Sequence, residues 1–571
     1  FFALAILSAL MAAVVLFFTR PRCFRTAGWA LLPIAAVGLL ALWIPSAMPR
    51  AMLLATVGPR HQTLLHYEEA RTGTVSVVEN RINQERQLLM NGINEVTTRL
   101  VHDQSFKVLG HLAPLLHPNP KKGVMICLGA GISAGAALAH PLDSLDVVDL
   151  SSAVARGARY FEKQNRGVLD DPRFHLHIDD GRQYLLNTSE RFDVAMIDST
   201  HPKAVDSWIL YTVEFYELVR DRLSEGGIVV QWLPLHGLSE REFKMIVRTF
   251  QQAFPSMTLW ANVGFETYGQ VGYAKLVGIR GRPLAIDPAQ IAAKLRDSTI
   301  GKDLADWGVE SVEELLNLFI AGPASLEAWT RGLPVQHDDR PMIPYRTAFS
   351  LGRRMVPARL LAVREPISPW LVKASPDQKQ AIVRSAEGQG LVLGGLLSRA
   401  RELDVSNHSV PLYEHQIATT LPYYEALAAL YPDDADRQFE AATQLAALGH
   451  PSHAGRYYER ALALRPEDYR FRLDYGHWLL GLGRGKEAIE VLSSLRDDVP
   501  RAALVHYNLG AAVLASGEAG AAAGHFETAL GYDDTLYGAR IGLARARIAL
   551  SEEEKAQRAL ARSQADNPWR S

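Results

Sequence analysis

Two glycines, Gly129 and Gly131, follow an apolar run, Gly123–Leu128, that has the composition of a buried strand. Glycine at a strand end lets the backbone turn tightly and lets a ligand approach the main chain. Asp149 closes a second expected strand, Leu145–Asp149. It lies near the ~20-residue spacing expected of a carboxylate that holds ribose hydroxyls. Two hydroxyls can donate to one carboxylate, and such charge-assisted bonds are strong. These features alone would serve NAD as well as another nucleoside. Asp179, Asp180 and Gly181 follow a third run, Phe174–Ile178, where an acid can read an adenine amino group. Asp198 closes a fourth run in Phe192-Asp-Val-Ala-Met-Ile-Asp-Ser-Thr-His-Pro202.

These residues need a scaffold that brings strand ends together. Helical stretches, among them Ala153–Gln164 and Thr212–Leu223, separate the four runs and a fifth, Gly227–Trp232. Strands alternating with helices imply a Rossmann-like α/β fold, a parallel sheet covered on both faces. Ligands of such sheets sit outside the carboxyl ends of the strands, so the glycines, Asp149, Asp180 and Asp198 converge on one edge. That constellation suits a nucleoside with a reactive tail better than a dinucleotide. Met257–Ala261 and Tyr273–Ile279 are expected to close the sheet as an antiparallel pair. Ahead of the core, Gly73–Glu79 and Arg86–Asn91 have strand character and Asn91-Gly92 is a turn signal. They predict a small β-hairpin subdomain, followed by a helix over Leu100–Leu116.

The 571 residues exceed what one core can serve. The expected modules are transmembrane helices within 1–48, the hairpin subdomain at 63–101, the Rossmann domain at 102–282, a helical connector at 283–420 and an all-α repeat array at 435–570. The chain opens on Phe1 rather than Met, as a fragment or processed product would. Phe1–Phe18 and Ala27–Met48 are apolar runs near the ~20 residues that span a bilayer. They predict a membrane hairpin, the end of a longer bundle, in a bacterial inner membrane with the Rossmann domain cytoplasmic. A formal net charge of −2 and the lack of a long basic run argue against nucleic acid. The two cysteines, Cys23 and Cys127, make neither a disulfide framework nor a zinc cluster. His337-Asp-Asp339 precedes Pro341 and has the character of a polar turn rather than a metal site. Near the C-terminus, Gly449, Gly483 and Gly517 recur every 34 residues, and so do Ala442, Gly476, Gly510 and Ala544. Ala454, Ala488, Ala522 and Ala556 keep the same interval. A 34-residue period with small residues at helix crossings is the tetratricopeptide signature.

Residues from about Asn91 to Phe254 resemble the polyamine aminopropyltransferases, the spermidine synthases, and within them the bacterial membrane-fused branch. The stretches that carry the resemblance are Leu88-Leu-Met-Asn-Gly92, Leu115-Leu-His-Pro-Asn-Pro120, Asp171-Pro-Arg-Phe174, Asp179-Asp-Gly181, Tyr211-Thr-Val-Glu-Phe-Tyr216 and Val230-Gln-Trp-Leu-Pro-Leu-His236. They cover roughly a third of the chain. The resemblance implies a donor, decarboxylated S-adenosylmethionine, and an amine acceptor such as putrescine. It implies that Asp149 holds the ribose, that Asp180 and Gly181 hold the adenine, and that Asp198 is the catalytic carboxylate that binds and deprotonates the amine.

The chain also departs from that family. Ile132 stands where the family carries an acid in its glycine loop, and His201 where it carries a second acid after the catalytic one. Ser105-Phe106 stands where a Tyr-His pair is usual. The adenosine positions are retained while those for cationic amines are depleted, with Ile132 and His201 as candidate substrate contacts. Restoring acids at both is then expected to raise putrescine turnover. The expected function is aminopropyl transfer to an amine, with no tightly bound cofactor and no metal. The alternatives are an S-adenosylmethionine-dependent methyltransferase and an inactive membrane-anchored scaffold that acts through its repeats. A protein or peptide partner is expected on the repeats, and a homodimer is compatible with the sequence.

Overall fold

A computed structural model of the chain describes residues 61–204, 207–266, 269–306, 308–343, 355–393, 409–447, 450–495, 501–534 and 536–550. They form two compact units that divide between Leu412 and Tyr413. The apolar runs Phe1–Phe18 and Ala27–Met48 lie outside the described residues. Among the described residues no helix is long and apolar enough to cross a membrane. The membrane-anchored placement is corrected accordingly and is not carried further.

The first unit opens with a four-stranded antiparallel sheet rather than a single hairpin. Its strands are β1 (Gln62–Ala70), β2 (Gly73–Asn80), β3 (Arg86–Met90) and β4 (Ile93–Thr97), in that order. Asn91 and Gly92, both with positive φ, turn β3 into β4. The period-two pattern of Val75, Val77, Leu88 and Val96 puts these side chains at 6% exposure or less.

A helix at Leu100–Leu116 leads into the second sheet. This sheet contains β5 (Lys122–Ile126), β6 (Ser144–Asp149), β7 (Phe174–Ile178), β8 (Phe192–Ile197), β9 (Leu223–Pro234), β10 (Thr258–Glu266), β11 (Gly269–Ile279) and β12 (Phe319–Ala321). Its order is β12-β10-β11-β9-β8-β5-β6-β7. β5 to β9 are parallel, and β9, β11, β10 and β12 are joined antiparallel. The result is a Rossmann-type core with a mixed sheet. The chain leaves β5 toward β6 and β7, then returns to the other side of β5 for β8. That reversal opens a crevice at the carboxyl end of β5, where such sheets take their ligands.

The segment expected as a connector differs from that description. β12 extends the sheet, and Ile286, Ile300, Leu315, Phe319, Leu371 and Ile382 belong to the same hydrophobic core as β5 to β8. A buried polar tie reinforces this packing. Asp303 Oδ1 lies 2.6 Å from Lys107 Nζ and Asp303 Oδ2 3.0 Å from His111 Nε2, which pins the helix at Ser298–Ala305 to Leu100–Leu116. Sequence periodicity missed it because the apolar positions are spread over short helices with irregular spacing.

The second unit is all-helical over its described residues. Helices at Ala435–Ala447, Pro451–Leu464, Tyr469–Gly481, Gly485–Ser493, Ala502–Ala515, Ala519–Tyr532 and Tyr537–Ala549 follow one another. Gly483 and Gly517 turn between paired helices at φ of 75° and 89°, a conformation that costs other residues energy. A Cβ on Gly510 would sit 2.8 Å from Phe526, so the small residue sets the helix crossing.

Candidate active site

The carboxyl ends of β5 to β8 open into a cavity of about 450 Å³. Gly129, Asp149, Asp180, Gly181 and Asp198 all line it. Each stands where its strand ends, so the topology delivers residues far apart in sequence to one crevice. Gly129 has φ of 54°, and a Cβ there would point at Val96 on the opposite wall. Leu88, Met90, Asn91, Ile93, Glu95 and Val96 of the four-stranded sheet supply that wall.

Asp149 is fixed by the main chain. Its Oδ2 accepts from the Leu128 N–H and its Oδ1 from the Ser151 N–H, both at 2.9 Å. Burial raises its pKa, and those two amides act in the opposite direction. Each oxygen keeps a second acceptor position for a ligand hydroxyl. Asp180 caps the helix at Gly181–Asn187, accepting from the Gln183 N–H at 2.9 Å. A Cβ on Gly181 would lie 2.5 Å from Ile126, so only glycine fits between this helix and β5.

Asp198 lies in a strongly perturbed environment. Ser133 Oγ donates to its Oδ2 at 2.6 Å. Burial pushes Asp198 up to about 7, against the opposing Ser133 hydrogen bond and the charge of Lys275. Lys275 of β11 is fully buried and donates to Ser105 Oγ at 3.1 Å and to Asn262 Oδ1. Burial holds Lys275 well below the usual lysine range, and Asp198 acts to raise it. Trp232 and Ser151 also line the cavity, and their Nε1 and Oγ atoms have no hydrogen-bond partner among the described residues. Leu150 and Ile93, exposed by 49% and 65%, give the cavity apolar surface.

Four of the sequence-derived site residues do not line the cavity. Gly131 caps the helix at Ile132–Leu138 with φ of 76°. Asp179 is exposed and accepts from the Asp180 N–H at 2.8 Å. Ile132, 2% exposed, packs with Val77, Leu88, Val96, Phe106, Ala130 and Phe161 in an apolar cluster. His201 Nε2 donates to the His236 carbonyl at 3.0 Å, and its Nδ1 accepts from the Lys203 N–H at 3.2 Å. With both nitrogens used, that ring is neutral, and burial lowers its pKa. The turn at His337–Asp339 is a structural joint: His337 Nδ1 lies 2.8 Å from Glu214 Oε1 and Arg182 Nη1 2.8 Å from Asp338 Oδ1. Sequence reasoning missed Glu95, Ser133 and Lys275. Glu95 is the lone acid between Met90 and Thr98, and Lys275 the lone charge in β11.

Residues 104–277 match the family model of the spermine/spermidine synthase domain, and residues 445–511 a tetratricopeptide repeat model. The polyamine aminopropyltransferase of Thermotoga maritima is 32% identical over 183 residues, 31% of this chain and 60% of that protein. That of Thermococcus onnurineus is 27% identical over 39% of this chain and 73% of its own length. The chain therefore spans less than two thirds of the first of these relatives. The solved spermidine synthase of Thermotoga maritima is similar at 23% identity and a TM-score of 0.33, over 42% of this chain and 87% of that one. Residues 104–277 are thus similar to the spermine/spermidine synthase domain, and residues 445–511 to a tetratricopeptide repeat.

Proposed function

We propose that the cavity transfers an aminopropyl group from decarboxylated S-adenosylmethionine to an amine. The observation that carries this reading is the meeting of Gly129, Asp149, Asp180, Gly181 and Asp198 on one cavity inside the matched domain. Asp149 takes the ribose hydroxyls, and Asp180 with Gly181 reads the adenine, whose faces lie against apolar side chains such as Leu150. The acceptor nitrogen attacks the methylene beside the sulfonium. A C–N bond forms, the C–S bond breaks with its electron pair on sulfur, and methylthioadenosine leaves. The proton goes from the acceptor nitrogen to Asp198. A base with a pKa of about 7 is half ionised at neutral pH and well matched to that step. The sulfonium is already activated, so most of the acceleration comes from holding two reactants in line.

The donor is a co-substrate, not a resident cofactor. The modules keep their proposed bounds, except that residues 283 to about 393 serve the catalytic unit. The repeat region takes a protein or peptide partner in this reading, since stacked helix pairs present an extended concave face. Donor identity is the test. Methylthioadenosine released from decarboxylated S-adenosylmethionine when an amine is added supports the proposal. S-adenosylhomocysteine formed from S-adenosylmethionine would assign methyl transfer instead and contradict it.

A further inference from the structure

Four carboxylates line the cavity: Glu95, Asp149, Asp180 and Asp198. Three are already engaged. Asp149 accepts two backbone amides, Asp180 caps a helix, and Asp198 accepts from Ser133 and interacts with the buried Lys275. In the proposed transfer Asp198 serves the acceptor nitrogen, so the donor's tail needs another carboxylate. The one lysine on the cavity wall, Lys203, is 3.1 Å from Glu242 and is neutralised there.

Glu95 is different. It is the cavity's one carboxylate from the four-stranded sheet, on β4, and it has no hydrogen bond or ion pair among the described residues. Apolar neighbours on the same wall, Met90, Ile93, Val96 and Phe106, reduce its solvation, and burial raises its pKa. A half-buried carboxylate without a partner gains most from a ligand that brings a positive charge.

We propose that Glu95 is the cation anchor of this cavity and that it holds the primary ammonium of the donor's aminopropyl tail. This deepens the aminopropyl-transfer reading and rests on it for the identity of the ligand. It also accounts for a glycine-loop position, Ile132, that is apolar, buried and not among the residues lining the cavity. The charge that docks the donor comes from the opposite wall. Glu95 thereby places the tail between the four-stranded sheet and Asp198, with its reactive methylene facing the acceptor.

The test compares two ligands that share the adenosine, one with a sulfonium and an ammonium tail and one with neither. Decarboxylated S-adenosylmethionine and methylthioadenosine are titrated by calorimetry into the full chain and into Glu95→Gln. The unmodified chain should bind the cationic ligand more tightly. Glu95→Gln should weaken that ligand about tenfold or more, as expected for one charge-assisted hydrogen bond, and change methylthioadenosine by less than about twofold. Glu95→Asp should restore part of the loss. Equal weakening of both ligands, or of neither, overturns the proposal. So does an unmodified chain that binds methylthioadenosine as tightly as the cation, a result that needs no folded variant. The measurement requires no turnover. A chain that binds the cation through Glu95 yet transfers nothing contradicts the aminopropyl reading and leaves this inference standing.

Discussion

The Ser133 hydroxyl donates a 2.6 Å hydrogen bond to Asp198 Oδ2. Ser133 sits in the first turn of the helix that follows the glycine turn, so one short segment forms the ligand loop and also orients the base. Asp198 is held up to about 7 by burial, with Ser133 and Lys275 both acting to lower it. Transfer should therefore rise with pH through about 7 as Asp198 ionises. Ser133→Ala removes a donor that favours the ionised form, and the acid limb of the rate profile should move to higher pH. A profile unchanged in Ser133→Ala would separate the observed ionisation from Asp198.

The same burial has a cost in stability. A carboxyl raised from 3.8 to about 7 binds its proton more tightly when folded, so stability falls as pH rises between those values. Above pH 7 the cost is largely complete. Asp198→Asn keeps an acceptor for Ser133 and carries no charge. It should raise the melting temperature at pH 8, by the equivalent of ~1 kcal/mol or more, while it removes turnover. Equal melting temperatures at pH 8 would show that the site is better solvated than its burial implies.

Asp149→Ala should weaken methylthioadenosine by ~10- to 100-fold or more, at ~1.5–3 kcal/mol for each hydrogen bond to a charged group. The structure adds a second consequence, because the Leu128 and Ser151 amides lose their acceptor. Asp149→Asn, which preserves one amide bond, should retain more of the fold and still lose affinity. Unchanged affinity in a folded Asp149→Ala protein, read by calorimetry, would remove the ribose assignment.

Ile132 behaves differently from the sequence-based expectation. Its side chain belongs to the apolar cluster of Val77, Leu88, Val96 and Phe161. Ile132→Asp would bury a carboxylate there without a partner, at a cost of several kcal/mol, ~3–5 by analogy with a broken buried pair. We expect a lower melting temperature and no gain in putrescine turnover, and the same for the double variant with His201→Asp. A stable Ile132→Asp protein with faster spermidine formation would restore the family-like role of that position.

In the repeat region, Gly510 packs against Phe526 with no space for a side chain. Gly510→Val should overpack the crossing and cost ~1–3 kcal/mol, visible as a lower melting temperature of the repeat transition. Methylthioadenosine affinity should stay the same in that variant. A parallel loss of affinity would mean that the two units do not fold independently.

The sheet was legible because its central strands are short, mostly apolar runs that end on glycine or aspartate, as in Leu145–Asp149 and Phe192–Asp198. Topology then dictated that Gly129, Asp149, Asp180 and Asp198 share an edge. The residues that escaped are those whose role depends on which way a side chain faces. Ile132 occupies a loop position that suggested the ligand, but the helix entry turns it into the core. Lys275 has a polar side chain in an otherwise uncharged strand, and only the packing of β11 against Leu100–Leu116 buries it. Glu95 resembles a solvent-facing residue of an alternating strand until the cavity wall is assembled around it. β12 was invisible because three residues carry no periodicity.

Aminopropyl transfer with Asp198 as base is tested by mass spectrometry of the full chain incubated with decarboxylated S-adenosylmethionine and a panel of amines. We predict methylthioadenosine and an amine heavier by one aminopropyl group, in equal amounts, and neither product with Asp198→Asn. Equal product from Asp198→Asn, or no product from the unmodified chain while methylthioadenosine still binds, would contradict the account.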